Sequence, residues 1–516
     1  MKREQLLLVF VAAVALYLST ARYGFVQDDR AIVVSNPAAH SVPAALAAFN
    51  DPYWPRETGA GLYRPVTILS YAIDWTISGG RPGWLHLMNA SWHGLATVLL
   101  VLLLARWLPP LGATAAGVVF AWHPVHVEAV ASIVGRAELL VAVGILGAVL
   151  AARRGKWVLA VLCAALAMFS KEHGVIVGVV ILLDKWLPFP LSGTERGTGG
   201  EDYPRAFWIA LGIVTIGYLV AWFSIGWVGE GDAAAVFYGR GTMARLAIAL
   251  PAALRAGVLL IWPSSLSSDY SPQVIQARST FSLAAVAGLF VVIAVPALVW
   301  WCRRRAPAIA FSAGIAALSY WPASNLLFAS GIALAERNLY LAVALPAACV
   351  GWAATKILVR RGLRPAVVTV TIVAIAAGWR SLARLPAWRN NQAQLLTLLT
   401  EHPESYRAHA SAAAVLAGLH DTTGARREYR IADSLYAGDP YLDGAYAIYL
   451  MSIGDTAAAV PLIERRRSGE VGVRMTLRAE FLLELARRHF AQARALADSA
   501  SRRFAGERDW YLAYRQ

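Results

Sequence analysis

Cysteine, charge and nucleotide-binding motifs are all scarce in this chain of 516 residues. The three cysteines, Cys163, Cys302 and Cys349, lie inside apolar runs without metal-ligand spacing, so they read as buried helix residues. Charged residues make up only 15% of the chain, and acidic ones are the scarcer kind, 32 Asp and Glu against 47 Lys and Arg. No Gly-x-x-x-x-Gly-Lys loop and no Rossmann Gly-x-Gly-x-x-Gly fingerprint occurs, which argues against the binding of a soluble nucleotide.

What the chain has in quantity is apolar length. It is 58% hydrophobic with a positive mean hydropathy, the composition of a polytopic helical membrane protein. Apolar runs fall at about 5–21, 86–106, 111–122, 137–152, 157–170, 174–187, 206–228, 246–262, 281–301, 308–325, 338–356 and 365–379. A span needs about twenty residues, so the shortest runs need flanking residues or neighbouring helices. The net charge of +15 is not a nucleic-acid footprint. Arg153-Arg154-Gly155-Lys156, Arg303-Arg304-Arg305 and Arg360-Arg361 abut the runs instead, as cytoplasmic loops beside anionic lipid do.

Topology follows from parity. If 246–262 crossed along with every other run, Arg303-Arg304-Arg305 would fall outside. Read as re-entrant or lying flat, that run leaves about eleven spans, the N-terminus in the cytoplasm and the C-terminus outside. A rival count fuses 157–187 and lets 246–262 cross, but it buries Lys171 and Glu172 mid-membrane, where charge is expensive. Met1-Lys2-Arg3 before the first run could open a signal peptide cleaved near Ser19-Thr20-Ala21. The many later spans favour an uncleaved first helix in a multi-pass protein of the inner (cytoplasmic) membrane.

Beyond Arg380 the texture becomes charged and rich in Ala and Tyr. Pro403 precedes Tyr406, Pro440 precedes Tyr441 and Tyr446, and small residues follow at helix-packing spacing. A period of about 34–37 residues fits tetratricopeptide-like helix pairs, with a generic array of helical hairpins as the alternative. The expected architecture is therefore all-α. A membrane bundle over 1–383 precedes an extracytoplasmic helical repeat domain over 384–516.

Charged motifs recur where the chain leaves or re-enters the outer side. Asp28-Asp29 follows the first run, and a carboxylate there could take a proton from an incoming hydroxyl or simply cap a loop helix. The same loop carries Val42–Phe49, read as a short helix lying on the membrane, and Tyr63-Arg64-Pro65. Trp122-His123-Pro124-Val125-His126-Val127-Glu128 reads as a short interfacial helix, with Pro124 in its first turn. His123, His126 and Glu128 could hold a divalent metal, or hydrogen-bond to phosphate or to the first loop. Arg136 and Glu138 open a span, and Lys171, Asp269, Glu336 and Arg337 lie in further outer segments. Arg64, Arg136, Lys171 and Arg337 are four cations on one side of the membrane. Each alone reads as a snorkelling residue, and together they read as a phosphate clamp beside a general base.

Six motifs stand in one order: Phe25-Val26-Gln27-Asp28-Asp29, Tyr63-Arg64-Pro65, His123-Pro124-Val125-His126-Val127-Glu128-Ala129, Gly135-Arg136-Ala137-Glu138-Leu139-Leu140, Ser170-Lys171-Glu172-His173-Gly174 and Ala335-Glu336-Arg337-Asn338-Leu339-Tyr340. That order resembles the transmembrane and tetratricopeptide-repeat O-mannosyltransferases and their bacterial relatives. The resemblance implies a glycosyltransferase C superfold and a polyprenyl-phosphate sugar donor, with mannose as the expected sugar. It implies transfer to an acceptor hydroxyl on the outer face, with an acidic residue of the first loop as base. Asp28 becomes the expected base and Asp29 its partner; Arg64, Arg136, Lys171 and Arg337 become donor-phosphate ligands. His123, His126, Glu128, Glu138, Asp269 and Glu336 would shape the sugar or acceptor pocket. No cofactor is required on this reading, although a divalent metal at His123, His126 and Glu128 stays open. The expected partners are the lipid-linked donor, an acceptor polypeptide or glycan on the repeats, and membrane lipid, with no nucleic acid. The alternatives are a transporter of lipid-linked glycans and a non-catalytic assembly factor working through its repeats.

Overall fold

The computed structural model describes residues 1–55, 61–188, 203–226, 234–275, 280, 282–467 and 474–503. Helices dominate the described residues and no strand occurs among them. The bundle is built from α1 (Arg3–Leu16), α2 (Val42–Ala47), α3 (Pro65–Ser78), α4 (Pro82–Leu104), α5 (Pro110–Trp122), α6 (His126–Ala131), α7 (Arg136–Arg153) and α8 (Trp157–Ser170). It continues with α9 (Val177–Trp186), α10 (Arg205–Ile225), α11 (Thr242–Ile261), α12 (Leu283–Cys302), α13 (Pro307–Tyr320), α14 (Ala344–Arg361) and α15 (Leu363–Arg384).

Local chemistry sets many of these boundaries. Proline opens α3, α4, α5 and α13, where its missing N–H would have no intrahelical partner. Gly79 ends α3 at φ +65°, in the left-handed region that a residue with a Cβ enters only at a cost. Ser41 and Ser282 cap α2 and α12, their hydroxyls accepting from Ala44 N–H at 3.3 Å and Ala285 N–H at 3.2 Å. Among the described residues seven helical stretches are long and apolar enough to cross a membrane: 82–104, 133–153, 205–225, 242–261, 283–302, 341–361 and 363–388. This is the make-up of an integral membrane protein. The other apolar runs form the shorter helices α1, α5, α8, α9 and α13. The segment 157–187 is two helices, interrupted by a 3-10 turn over Glu172–Ile176, so Lys171 and Glu172 lie at a break and not inside a helix.

The two ends of the bundle differ in chemistry. At one end Asp184 takes hydrogen bonds from Arg153 Nε at 2.8 Å and Arg106 Nη1 at 3.2 Å, and Trp186 stacks on Trp300 beside Arg303. The opposite end carries the six charged motifs. Both termini of α11 are tied to that second end. Arg245 Nη2 donates to the Leu326 carbonyl at 3.3 Å, and His123 Nε2 meets the Leu260 carbonyl at 3.2 Å. The helix is 20 residues long with Pro251 inside it, and it is one of the seven stretches long and apolar enough to cross.

Two sequence expectations need correction. The 122–129 segment is not an interfacial helix starting at Pro124. Its helix is α6, which begins at His126, and all six of its residues are buried, because it is roofed by the Glu336–Leu339 turn and the start of α7. The first loop also contains an unforeseen helix, α3, whose buried Ile68, Tyr71 and Ala72 recur at helical spacing.

Beyond α15 a 3-10 turn at Leu385–Trp388 leads into α16 (Asn391–Glu401), α17 (Tyr406–Gly418), α18 (Thr422–Leu435), α19 (Pro440–Ser452), α20 (Thr456–Arg467), α21 (Arg474–Ala486) and α22 (Phe490–Arg503). Helices α17, α19 and α21 start at 406, 440 and 474, and α18, α20 and α22 at 422, 456 and 490, so each helix pair repeats after 34 residues. Ala425, Ala459 and Ala493 occupy the equivalent position in the three pairs and all are buried, because only a small side chain lets the paired helices close. The first loop meets this domain directly: Gln27 N–H donates to Asn391 Oδ1 at 2.7 Å and Gly24 N–H to the Arg389 carbonyl at 3.0 Å.

Candidate catalytic cluster

The two adjacent aspartates have different surroundings. Asp29 is fully buried, and its carboxylate accepts from Val26 N–H and from Val134 N–H, each at 2.9 Å. Burial pushes its carboxyl up to about 7, against those backbone donors. Asp29 thus fastens the loop to the turn that precedes α7. Gln27 stands at φ +47° just before the pair. The side chain of Asp28 is 36% exposed and its Oδ2 lies 3.9 Å from Arg337 Nη1.

Arg337 is held from several directions. Its backbone N–H donates to Glu128 Oε2 at 2.9 Å and its Nη1 lies 3.5 Å from Glu128 Oε1. Three residues on, the Tyr340 carbonyl meets His126 Nε2 at 2.9 Å and the Tyr340 hydroxyl meets His93 Nδ1 at 2.7 Å. Burial raises the Glu128 carboxyl, opposed by the Arg337 charge and N–H. His126 therefore works by holding the 336–340 turn.

Two further cations join this centre. Lys171 pairs with Glu138 and donates to Asn338 Oδ1 at 3.1 Å. Burial lowers the Lys171 ammonium, opposed by Glu138. His173 Nε2 stands 3.5 Å from the other Glu138 oxygen, and burial holds its imidazole down to about 4, so it is neutral near pH 7. Arg64 makes a bidentate pair with Glu172, at 2.9 and 2.8 Å, and lies over the Tyr53 ring at 4.8 Å. Burial raises the Glu172 carboxyl, but the Arg64 charge and hydrogen bonds together with Lys171 and a backbone N–H outweigh it, and the net direction is down.

Arg64, Lys171 and Arg337 thus stand in one polar centre with Asp28, Glu128, Glu138 and Glu172. Each cation has a carboxylate partner, and the fields of Arg64, Lys171 and Arg337 are felt at one another. An ion pair with both charges desolvated has little net stability to lose when a better anion arrives. A phosphate, with more oxygens for the same donors, is such an anion.

Arg136, Glu336, Asp269 and His123 fall outside this centre. Arg136 is completely buried. It donates to Asn89 Oδ1 at 2.8 Å, the Leu85 carbonyl at 3.0 Å and the Ser70 carbonyl at 3.2 Å, pairs with Asp74 and lies over the Tyr71 ring. With its donors spent, it is a structural tie between α3, α4 and α7 and not a phosphate ligand. Glu336 is buried, accepting from Ser267 N–H at 2.6 Å and the Tyr270 hydroxyl at 2.8 Å, and it pins the 266–271 segment rather than facing a pocket. Asp269 accepts from Ser405 Oγ at 2.6 Å and lies 3.8 Å from Arg407, so it belongs to the junction with the repeats. His123 holds the end of α11, His126 the Tyr340 carbonyl and Glu128 the Arg337 backbone. These three do not converge, and among the described residues no group of three His, Cys, Asp or Glu side chains is arranged to hold a metal. Their spacing allowed a metal site that the fold does not form. Asn338, Tyr53 and Glu172 belong to the centre without having been assigned roles. Asn338 and Glu172 had one sequence signal, adjacency to Arg337 and Lys171, and Tyr53 had none, since only the fold brings it under Arg64.

No protein-family model and no solved structure matches the chain. Curated relatives do. Protein O-mannosyl-transferase Tmtc1 of Drosophila melanogaster is 39% identical over 177 residues, 32% of this chain and 20% of that protein. Protein O-mannosyl-transferase TMTC3 of Homo sapiens is 29% identical over 213 residues, 38% of this chain and 23% of the relative. Protein O-mannosyl-transferase TMTC4 of Mus musculus is 25% identical over 476 residues, 79% of this chain and 63% of the relative. The similarity to this family agrees with the order of the six motifs. The chain spans about a fifth of the length of the first of these relatives that it matches.

Proposed function

We propose that the chain is a membrane glycosyltransferase that moves a sugar, mannose by analogy with its relatives' names, from a polyprenyl-phosphate donor to a hydroxyl of an acceptor protein. The observation that carries this reading is the centre around Arg337, where a half-exposed aspartate stands beside three cations at one end of a helical membrane bundle. In this reading that end faces the extracytoplasmic side and the basic clusters at the other end face the cytoplasm.

The chemistry is a single inverting displacement. Asp28 takes the proton of the acceptor hydroxyl as its oxygen bonds to the anomeric carbon. The bond from that carbon to the phosphate oxygen breaks, and its electron pair leaves with the phosphate. Arg337, Lys171 and Arg64 exchange their carboxylate partners for the donor phosphate and stabilise the charge that gathers on it. Glu128, through its bond to the Arg337 backbone N–H, keeps that turn in place, and Asp29 positions the loop. The tetratricopeptide-like repeats would present the acceptor polypeptide on their concave face.

The test is transfer of radiolabelled mannose from polyprenyl-phosphate mannose to protein in membranes holding wild type or Asp28→Asn. Label on protein in the wild type alone is the expected result. Full activity of Asp28→Asn would overturn the base assignment. Absence of transfer by a folded wild type would overturn the choice of this donor and acceptor.

A further inference from the structure

A separate cleft lies away from the candidate catalytic cluster. It has a volume of about 640 Å³ and lies between the end of the first helix and the turn joining α3 to α4, lined among others by Arg22, Tyr23, Ile77, Arg81, Trp84 and Leu87. None of its lining residues belongs to the centre around Arg337.

Its charges are unlike those of the centre. Arg64, Arg136, Arg337 and Arg384 each have a carboxylate partner. Among the described residues neither Arg22 nor Arg81 has one. The cleft also receives the N-terminal turn of α4, a helix of 23 residues; Pro82 has no N–H and those of Trp84 and Leu85 go to the Arg81 carbonyl, which leaves the Gly83 N–H and the positive end of the helix dipole. Gly83 in that turn packs so closely on the Ala21 carbonyl that a Cβ would come within 2.3 Å of it, which keeps the backbone at the cleft floor bare. The Ser78 hydroxyl at the wall is buried without a partner. Beside these polar groups stand exposed apolar ones, Ile77 and Trp84, with Trp84 fixed by its Nε1 donating to Asp74 Oδ1 at 3.2 Å.

The depth of the cleft is set by α4 itself. Its N-terminus begins a stretch long and apolar enough to cross a membrane, so the cleft sits at the level of lipid headgroups, where Trp and Tyr concentrate. A soluble anion would use the arginines and leave the apolar wall bare. A diester phosphate with acyl chains uses both. We propose that this cleft binds the headgroup of an anionic glycerophospholipid of the surrounding bilayer, its phosphate between Arg22, Arg81 and the α4 N-terminus and its glycerol and upper acyl carbons along Ile77, Trp84 and Leu87. The site touches the loop that carries Asp28 at one remove, because Gly24, next to Tyr23, has its carbonyl 3.3 Å from His86 Nε2 and its N–H on Arg389.

The experiment uses the full chain in a zwitterionic detergent, with retained lipid read by native mass spectrometry. Phosphatidylglycerol, phosphatidylcholine, polyprenyl monophosphate and inorganic phosphate are the probes. Wild type is compared with Arg22→Ala/Arg81→Ala and Arg22→Lys/Arg81→Lys, with lipid-free melting of each as the control for folding. The expected result is preferential retention of phosphatidylglycerol by wild type, a loss of about tenfold or more in the alanine pair, and partial recovery in the lysine pair. Equal retention by wild type and the alanine pair overturns the proposal. So does a loss confined to polyprenyl monophosphate, which would make the cleft a donor site, or complete displacement of phosphatidylglycerol by inorganic phosphate, which would make the apolar wall irrelevant. If the alanine pair melts without lipid, Arg22→Gln and Arg81→Gln are measured singly with the same outcomes.

Discussion

Arg136 and Arg337 are alike in the sequence, each one or two residues from a glutamate at the mouth of an apolar run, and the fold gives them opposite work. Arg136 spends its guanidinium on Asn89, Asp74 and two carbonyls. Arg136→Met would leave Asp74 buried without its counter-ion and should cost about 3–5 kcal/mol, visible as a large fall in melting temperature in detergent. Arg337→Lys keeps a cation beside buried Glu128 and loses the guanidinium fork, so it should leave melting within a few degrees while sharply reducing transfer. Wild-type melting of Arg136→Met would refute its structural role. Glu336 makes a second residue-scale case. Burial raises its carboxyl to about 7, with Arg384, Tyr270 and the Ser267 N–H opposing. In the unfolded chain the same group titrates near its ordinary value of about 4.3. Between those values the native state holds the proton that the unfolded state has lost, so stability present at low pH falls as pH rises towards 7. Glu336→Gln keeps an oxygen for Ser267 and Tyr270 and cannot ionise. Its melting temperature should therefore decline less than that of wild type between pH 5 and 8. Parallel declines would sink the assignment.

At the scale of elements, close helix crossings depend on residues with no side chain. Gly112 of α5 and Gly351 of α14 face each other, so that a Cβ on Gly351 would come within 2.4 Å of the Gly112 carbonyl and one on Gly112 within 2.8 Å of the Gly351 carbonyl. Backbones approach this closely only where both residues are small. Gly351→Val should force the pair apart at a cost of about 1–3 kcal/mol, read as lower melting and reduced yield of folded protein, whereas Gly212→Ala in α10, where a Cβ meets nothing within 4 Å, leaves the crossing untouched. Unchanged melting of Gly351→Val would show that α14 can shift freely. The long apolar helices were legible from composition alone. Helix α3 was not, because its buried stripe of Ile68, Tyr71 and Ala72 shares the helix with Ser70, Asp74 and Thr76 and never forms an apolar run. Helix α6 was legible as a helix but not as a buried one, since its burial depends on the Glu336–Leu339 turn more than two hundred residues away.

At the scale of the whole molecule, the repeats are bolted to the same end of the bundle as the centre around Arg337. Asp269 accepts from Ser405 at the start of α17, Gln273 Nε2 donates to the Leu435 carbonyl at 2.7 Å, and the Tyr436 hydroxyl reaches the Ala235 carbonyl at 3.3 Å. Asp269→Ala combined with Gln273→Ala should raise hydrogen exchange in α17 and α18 while leaving α4, α7 and α8 as protected as in wild type. Exchange that rises in all of these helices would mean that the domain supports the fold of the bundle, and exchange that rises in none would mean that the remaining contacts suffice to hold it.

The sequence by itself determined the helical membrane bundle, the repeat period and the end of the molecule at which the charged motifs gather. Apolar runs must leave water, a repeat must stack on its own kind, and basic loops mark the end of the bundle opposite to the motifs. Which charges are free to act was decided by tertiary structure. Asp28 and Asp29, or Arg136 and Arg337, differ in nothing that composition or spacing records. Whether a charged side chain is spent inside the fold or left beside a cleft depends on which donors and acceptors distant segments bring to it. For Asp29 those are the N–H groups of Val26 and Val134, and for Arg136 they are Asn89, Leu85, Ser70 and Asp74.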